Sequence, residues 1–332
     1  MTQPSPDQFL DALLGFQKTA ALKAALALDL FTAVAAEGGE LARTAARTGA
    51  AERGVRILCD YLTVLGFLAK VDGRYRLSES TAIFITTTSP AYMGSVADFL
   101  AAPEMLALWL TDPASYVRRG GAPGLANIAP ENPIWVKFAK AMVPFVVPIA
   151  QVLVAEIARQ GLTPRRVLDV AAGHGMFGIT VARAFADAEI TALDWPAVLA
   201  VARENAEKAG VAARHRGLPG SAFEVQWGTG FDLVLLTNFL HHFDQETCVG
   251  LLKRARASLA PGGRVLATDM VPNPDRVSPP FPAMFAFMML ASTPRGDVYT
   301  EQEYMEMGRA AGFARTTVAA LAPTPQSVIT FE

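Results

Sequence analysis

The sequence predicts an α/β protein: a doubly wound parallel sheet finished by antiparallel strand pairing, preceded by a mainly helical domain with a small wing. Three observations predict it. Residues 167–178, Val-Leu-Asp-Val-Ala-Ala-Gly-His-Gly-Met-Phe-Gly, read as a buried strand that breaks into a glycine turn and enters a helix. Apolar strands and helical stretches then alternate from 167 to 269, the pattern of βα units. Ahead of them, breaker-poor helical segments lead to a short hairpin on Asp72-Gly73.

Composition narrows the function classes. With 332 residues and 52% hydrophobic content, the chain can fill about two cores. Lys plus Arg (29) nearly balance Asp plus Glu (31), so no global field recruits nucleic acid or an anionic membrane. Cys59 and Cys248 are far apart and form no metal-type cluster; buried thiols and no metal are expected. No basic leader with an apolar core and no long apolar run is present, so a soluble cytoplasmic protein is expected.

In chain order, residues 7–36 carry apolar side chains at helical spacing and read as two helices. Their apolar positions occupy more than one stripe, which points to packing against a second subunit. A short helix at 40–48, a stronger one at 51–66 and the hairpin at 68–77 complete a winged helix. Its DNA-reading counterpart would carry only Arg53 and Arg56 as bases among apolar positions, so a dimerisation module fits better. Residues 90–160 read as bridging helices broken by Pro103, Pro113 and the loop Gly120-Gly121-Ala122-Pro123-Gly124. The working division is 1–100 for the winged helix, 101–160 for the bridge and 161–332 for the sheet domain. Within the last, helix 177–186, strand 189–194, helix 196–209, a short strand before Gly220, strand 231–236, the His241-His242 turn, helix 245–258 and strand 264–269 follow one another. Helix 301–311 and strands near 314–319 and 326–331 finish the chain.

Ligands of such sheets lie at the carboxyl ends of the strands. Gly173, Asp194, Ser221, Thr237 to His241 and Asp269 all fall there, which predicts one continuous cleft. The pattern Gly173-x-Gly175-x-x-Gly178, with Asp194 beyond the next strand, fits a dinucleotide or S-adenosylmethionine equally. Context separates them: few strands remain after 269 for a second mononucleotide half, Asp169 lies inside the first strand, and Pro261-Gly262-Gly263 precedes the fifth. These favour S-adenosylmethionine. Asp194 is then placed to accept hydrogen bonds from ribose hydroxyls, Asp169 to fix the glycine turn or the amino-acid end of the cofactor, and His174 to touch the cofactor. His215 has no evident context and is expected to be exposed.

Taken with the winged-helix segment and bridging helices, the motifs Asp-x-x-x-Gly-x-Gly, Asp194-Trp195-Pro196, Gly220-Ser221-Ala222-Phe223, the run from Leu240 to Cys248 and Leu259-Ala260-Pro261-Gly262-Gly263 resemble the plant-type small-molecule O-methyltransferases and their bacterial relatives. The resemblance covers nearly the whole chain. It implies a class I methyltransferase domain, a homodimer through the N-terminal domain, and S-adenosyl-L-methionine as cofactor, with S-adenosyl-L-homocysteine as product. It places Gly173, Asp194 and Trp195, beside Asp169, Ala171 and His174, along the methionine and ribose. Ser221, Ala222 and Phe223 fall near the adenine, and Thr237, with Asn238 next to it, on the far side. His241 matches the general base, a task that suits a neutral imidazole; His242 is its neighbour and possible substitute, and Asp269 matches a flanking acid.

Three departures follow. Ala171-Ala172 stand where a glycine pair is common. Gly220-Ser221 replaces Gly-Asp, leaving a hydroxyl or backbone for the adenine. Val298, in Gly296-Asp297-Val298-Tyr299-Thr300, stands where plant members carry a glutamate, which weakens the orientation and basicity expected of His241. C- or N-methylation, a non-methylating reaction on the same cofactor, and a cofactor-binding winged-helix regulator are the alternatives. Trp135, Phe138 and Met142 in the bridge, and Met284, Phe287 and Met288 in the apolar helix at 279–294, are candidates to wall a flat aromatic or polyketide-like acceptor.

Overall fold

A computed structural model describes residues 4–123 and 133–332. The chain divides into two compact units, Met1–Pro103 and Glu104–Glu332. Gly124, the last residue of the expected bridge loop, lies outside the described residues.

The N-terminal unit holds three helices where two were expected: Asp7–Leu13, Gly15–Ala27 and Leu30–Ala36. Asp29 takes a left-handed φ of +46° and breaks the second from the third. Helices Leu41–Thr48 and Glu52–Val64 follow, then strands β1 (Leu68–Val71) and β2 (Arg74–Leu77), paired antiparallel. Asp72 and Gly73 both have positive φ, the backbone a two-residue hairpin turn demands. Leu30, Phe31, Val34, Val55, Cys59, Leu62 and Tyr75 form its core. Arg56 is engaged by Asp60 one helical turn on, and Asp60 also accepts from Lys70 and Tyr75. Helix Asp7–Leu13 buries none of its residues within the chain.

The second unit opens with helices Pro103–Leu110, Pro113–Arg119, Pro133–Ala141 and Val143–Arg159. Seven strands follow: β3 (Arg166–Val170), β4 (Glu189–Asp194), β5 (His215–Pro219), β6 (Phe231–Thr237), β7 (Leu259–Asp269), β8 (Thr316–Ala320) and β9 (Ser327–Phe331). Their order in the sheet is β5-β4-β3-β6-β7-β9-β8. The first five run parallel; β9 is antiparallel to both β7 and β8. The chain reverses strand order between β3 and β6, so the switch point lies at the glycine turn.

β7 begins five residues earlier than the sequence suggested, because Pro261-Gly262-Gly263 bulges within the strand instead of ending the helix before it. The register slips opposite Phe231 and Leu233, and a Cβ on Gly263 would stand 2.7 Å from the Phe231 carbonyl. Apolar residues cover both faces of the sheet, with Val170, Val234, Leu236 and Phe331 on one side and Val167, Ile190, Leu233 and Leu266 on the other. Cys59 and Cys248 are both buried free thiols. His215 corrects an expectation: at the start of β5 it is partly buried, and burial lowers its pKa. No single helix among the described residues is long and apolar enough to cross a membrane.

Candidate active site

The glycine turn is braced from beneath. Asp169, fully buried in β3, accepts the Gly178 N–H with Oδ2 at 3.0 Å, and Oδ1 has no hydrogen-bond partner among the described residues. Burial pushes this carboxyl up to about 7. A Cβ on Gly178 would meet Ile190 Cγ2 at 2.7 Å, so only glycine lets the helix Met176–Ala184 close onto the sheet. Asp169 therefore fixes the turn, one of the two placements open to it. His174 does similar work: its Nδ1 accepts the Met176 N–H at 3.1 Å, and burial lowers its pKa to about 4, so it stays neutral.

At the end of β4, Asp194 Oδ2 accepts the Gly173 N–H at 2.8 Å and Oδ1 accepts the Trp195 N–H at 2.7 Å. Burial raises its pKa to about 6 against these two bonds. Each carboxylate oxygen accepts one N–H and keeps a lone pair. Beside it a cavity of about 70 Å³ is lined by Ala171, Leu193, Trp195, Gly220, Ser221, Ala222, Phe223, Phe239 and Phe243. Ala171 sits at φ +54°, an unusual cost for alanine that carries the chain round the slot. The segment 221–227 is pinned: Ser221 Oγ accepts the Phe223 N–H, Trp227 Nε1 donates to the Ala222 carbonyl, and Arg254 donates to the carbonyls of Phe223 and Val225. Phe239 falls within the run Thr237 to His241 expected at the cleft but was given no role, and Phe243 was not among the expected residues; beside two histidines, both look like ordinary core in the sequence.

The third group lies at the ends of β6 and β7. His241 Nδ1 and Asp269 Oδ1 are 2.7 Å apart, both buried. The same oxygen accepts the Met270 N–H at 2.8 Å, and Oδ2 accepts the Tyr304 hydroxyl at 2.9 Å. A carboxylate partner places the proton on Nδ1 and leaves Nε2 with its lone pair free to accept. Tyr304, from helix Glu301–Ala310, is fully buried and was missed; its position 35 residues beyond Asp269 gives no local signal. Val298 is buried, so Asp269 is the carboxylate that orients the ring. His242, next along, has its pKa lowered well below the ordinary value by burial, with His241 adding to the effect, and is neutral.

Helix Pro133–Ala141 covers this row. Phe138 stacks on His174 at 6.2 Å between centroids and lies 3.8 Å from where a Gly173 Cβ would be. Trp135 meets the His242 ring edge-on at 6.0 Å. Met142 is buried just beyond the helix. From helix Pro280–Ser292 it is Phe285 that faces His241, at 4.7 Å, while Phe287 packs against Trp109 and Tyr116. Met284 is 65% exposed and Met288 half-buried. The sequence had chosen Phe287 over Phe285. Thr237 is buried at the end of β6, and Asn238, at φ +52°, accepts from Gln326 with its side-chain oxygen, which ties it to the antiparallel edge.

The glycine turn at the switch point and the acid at the end of β4, in a sheet of five parallel strands finished by the antiparallel β9 and β8, give the fold of a class I methyltransferase. An O-methyltransferase domain model matches residues 111–314, and an O-methyltransferase dimerisation domain model matches residues 10–87. The 3-hydroxy-5-methyl-1-naphthoate 3-O-methyltransferase of Streptomyces sahachiroi is 30% identical, over 98% of this chain and 94% of that one. A solved structure from Nostoc punctiforme, assigned as an O-methyltransferase, superposes with a TM-score of 0.93 at 41% identity, covering 99% of each chain. Human N-acetylserotonin methyltransferase, solved with S-adenosylmethionine, shares the fold, with a TM-score of 0.84 at 21% identity over 100% of this chain and 98% of that one. The chain belongs to the O-methyltransferase family and is an S-adenosylmethionine-dependent methyltransferase.

Proposed function

We propose that this enzyme methylates a hydroxyl of a small, flat, aromatic or polyketide-like acceptor in secondary metabolism, with His241 as general base. The observation that carries the reading is the buried chain Tyr304–Asp269–His241, which ends in an imidazole nitrogen free to accept a proton. The naphthoate-methylating relative supports the acceptor class.

Two observations support a fit to S-adenosylmethionine. Asp194 keeps a lone pair on each oxygen for the ribose hydroxyls, and the apolar slot from Ala171 to Phe243 suits the flat adenine. The Ser221 hydroxyl replaces a carboxylate as its polar neighbour. Gly173 leaves the backbone open toward the amino-acid end. When bound, the cofactor supplies an electrophilic sulfonium methyl. The protein binds and aligns the acceptor, keeps water away with Phe138, Trp135 and Phe285, and takes the hydroxyl proton on His241 Nε2. Asp269 holds the ring and stabilises the imidazolium that forms, and Tyr304 holds Asp269. The positive cofactor needs no metal in this scheme. We also propose a homodimer: the dimerisation-domain match and the exposed apolar residues of the first two helices, Phe9, Leu13 and Phe16 among them, support it.

The test is an acceptor screen with purified enzyme and S-adenosylmethionine, followed by mass spectrometry and fragmentation of the products. Methyl gain on an aromatic oxygen is expected, with turnover lowered at least about a hundredfold in His241→Ala and much less in His242→Ala. Methylation on carbon or nitrogen, or unchanged turnover in His241→Ala at saturating acceptor, refutes the reading.

A further inference from the structure

The row His241, His242 and Trp135 contains two polar atoms that the scheme above leaves idle. The Nδ1 of His242 and the Nε1 of Trp135 are both buried, and neither has a hydrogen-bond partner among the described residues. They come from different elements, the turn after β6 and the helix Pro133–Ala141, yet their rings touch. Leaving one such atom unpaired costs about 1–3 kcal/mol, and two on neighbouring rings in an otherwise aromatic wall call for a shared partner. Trp135 packs against the same apolar cluster as Trp195, which lines the cofactor slot.

Geometry limits what the partner can be. The His242 ring lies 4.5 Å from that of His241, so a group on the carbon next to the one bearing a hydroxyl at His241 comes within reach of His242. Trp135 Nε1 can only donate. The partner therefore has to accept. His242 is neutral, and no Lys or Arg of the described residues forms a hydrogen bond, ion pair or cation–π pair with His241, His242 or Trp135. An ionised carboxylate would find no counter-charge from the protein in this wall and would carry a desolvation cost that an uncharged oxygen does not.

We propose that Trp135 and His242 form a recognition point for a carbonyl oxygen next to the hydroxyl that is methylated, so that the enzyme selects ortho-acyl phenols and naphthols. The proposal deepens the acceptor reading and rests on the hydroxyl being delivered to His241. A ketone oxygen has two lone pairs. One receives the N–H of Trp135 and the other the N–H of His242, neutral in the tautomer that carries its proton on Nδ1, so the neighbouring hydroxyl turns its own proton to His241 Nε2. Recognition and deprotonation then act on one planar unit, which fixes the hydroxyl oxygen in the plane facing the methyl donor.

The probes are 2-acetyl-1-naphthol and 2-ethyl-1-naphthol, matched in size and differing in the carbonyl. Calorimetry on enzyme saturated with S-adenosylhomocysteine reads binding without turnover. The acetyl compound is expected to bind at least about tenfold tighter. In Trp135→Phe and in His242→Phe that preference is expected to fall below about threefold, through weaker binding of the acetyl compound alone, with S-adenosylhomocysteine affinity showing that each variant is folded. Equal affinities in the wild type, a preference that survives in both variants, or no binding of either naphthol overturns the inference while leaving the cofactor and base assignments standing. Failure of the wild type to bind S-adenosylhomocysteine removes those assignments and this one together.

Discussion

Replacing Asp269 by asparagine isolates the charge at the heart of the proposed base. Asparagine is nearly isosteric, and the bonds around this residue permit one orientation. Its oxygen takes the Oδ1 position, accepting the Met270 N–H and the His241 Nδ1–H, and its amide donates to the Tyr304 oxygen. The imidazole keeps its place and tautomer and loses its counter-charge. A carboxylate and an imidazolium with charge centres about 4 Å apart are worth about 4 kcal/mol at an effective dielectric of about 20. If about half of the positive charge has developed when the proton is in flight, the loss is about 2 kcal/mol, or roughly thirtyfold in kcat. The assay measures kcat for Asp269→Asn and wild type on a series of naphthols of graded acidity, with cofactor and acceptor saturating. The deficit is expected to be largest for the least acidic naphthol and to shrink as the acceptor ionises more readily. A deficit below about threefold throughout, or one independent of acceptor acidity, refutes the argument and leaves Asp269 as a packing residue. Thermal denaturation checks that the variant is folded.

Cofactor affinity should depend on pH through Asp194. Burial raises its pKa to about 6, and the proposed bonds to ribose hydroxyls require the ionised form, so affinity is present above that value and lost below it. Calorimetry with S-adenosylhomocysteine should give a Kd that is flat above pH about 7 and rises toward tenfold per unit on acidification through about 6; Asp194→Asn should bind weakly and without that slope. Stability should move the other way at Asp169. The folded protein holds a proton up to about 7 that the unfolded chain releases near 4, so this group's contribution falls as pH rises through that window. Asp169→Asn should therefore raise Tm at pH about 8 more than at pH about 5, measured by calorimetric scans. Arg254 holds the segment 221–227 through two carbonyls, and Arg254→Ala should weaken cofactor binding about tenfold with kcat at saturating cofactor within about twofold. Leu13→Glu with Phe16→Glu should convert a dimer to a monomer in light scattering, since both side chains are more than half exposed in the single chain.

The sheet was legible because its inner parallel strands, β3, β4, β6 and the second half of β7, are largely buried and read as apolar runs, and the glycine turn and Asp-Gly hairpin state their backbone needs in residue type; the edge strand β5, His-Arg-Gly-Leu-Pro, is not buried and carries no such run. His241, Asp194 and Asp269 were legible because polar groups at the ends of such strands have nowhere to point except the cleft. What was not legible turns on rotation and distance. Helix Pro280–Ser292 is apolar on every side, so no stripe distinguishes Phe285 from Phe287, and tertiary packing alone turns the former toward His241. Phe239 and Phe243 line the slot with the same residue type that fills the core behind it. Tyr304 is set by how the helix Glu301–Ala310 docks, which no local pattern encodes.

Read from sequence, Val298, an apolar residue at a position that elsewhere carries an acid, leaves the histidine short of a partner. The structure separates the two services that acid was expected to give. Orientation is supplied in full by Asp269, whose two oxygens are held by Met270, Tyr304 and the imidazole itself. Basicity is a different matter, because one counter-charge in place of two gives the imidazolium less stabilisation as it forms. An enzyme so arranged turns over best when the acceptor gives up its proton readily, and a carbonyl conjugated with the reacting hydroxyl spreads the developing negative charge. The idle pair Trp135 and His242 stands where such a carbonyl oxygen falls. The missing acid and the unpaired donors then have one explanation, a site in which part of the work of deprotonation has moved from the protein to the acceptor.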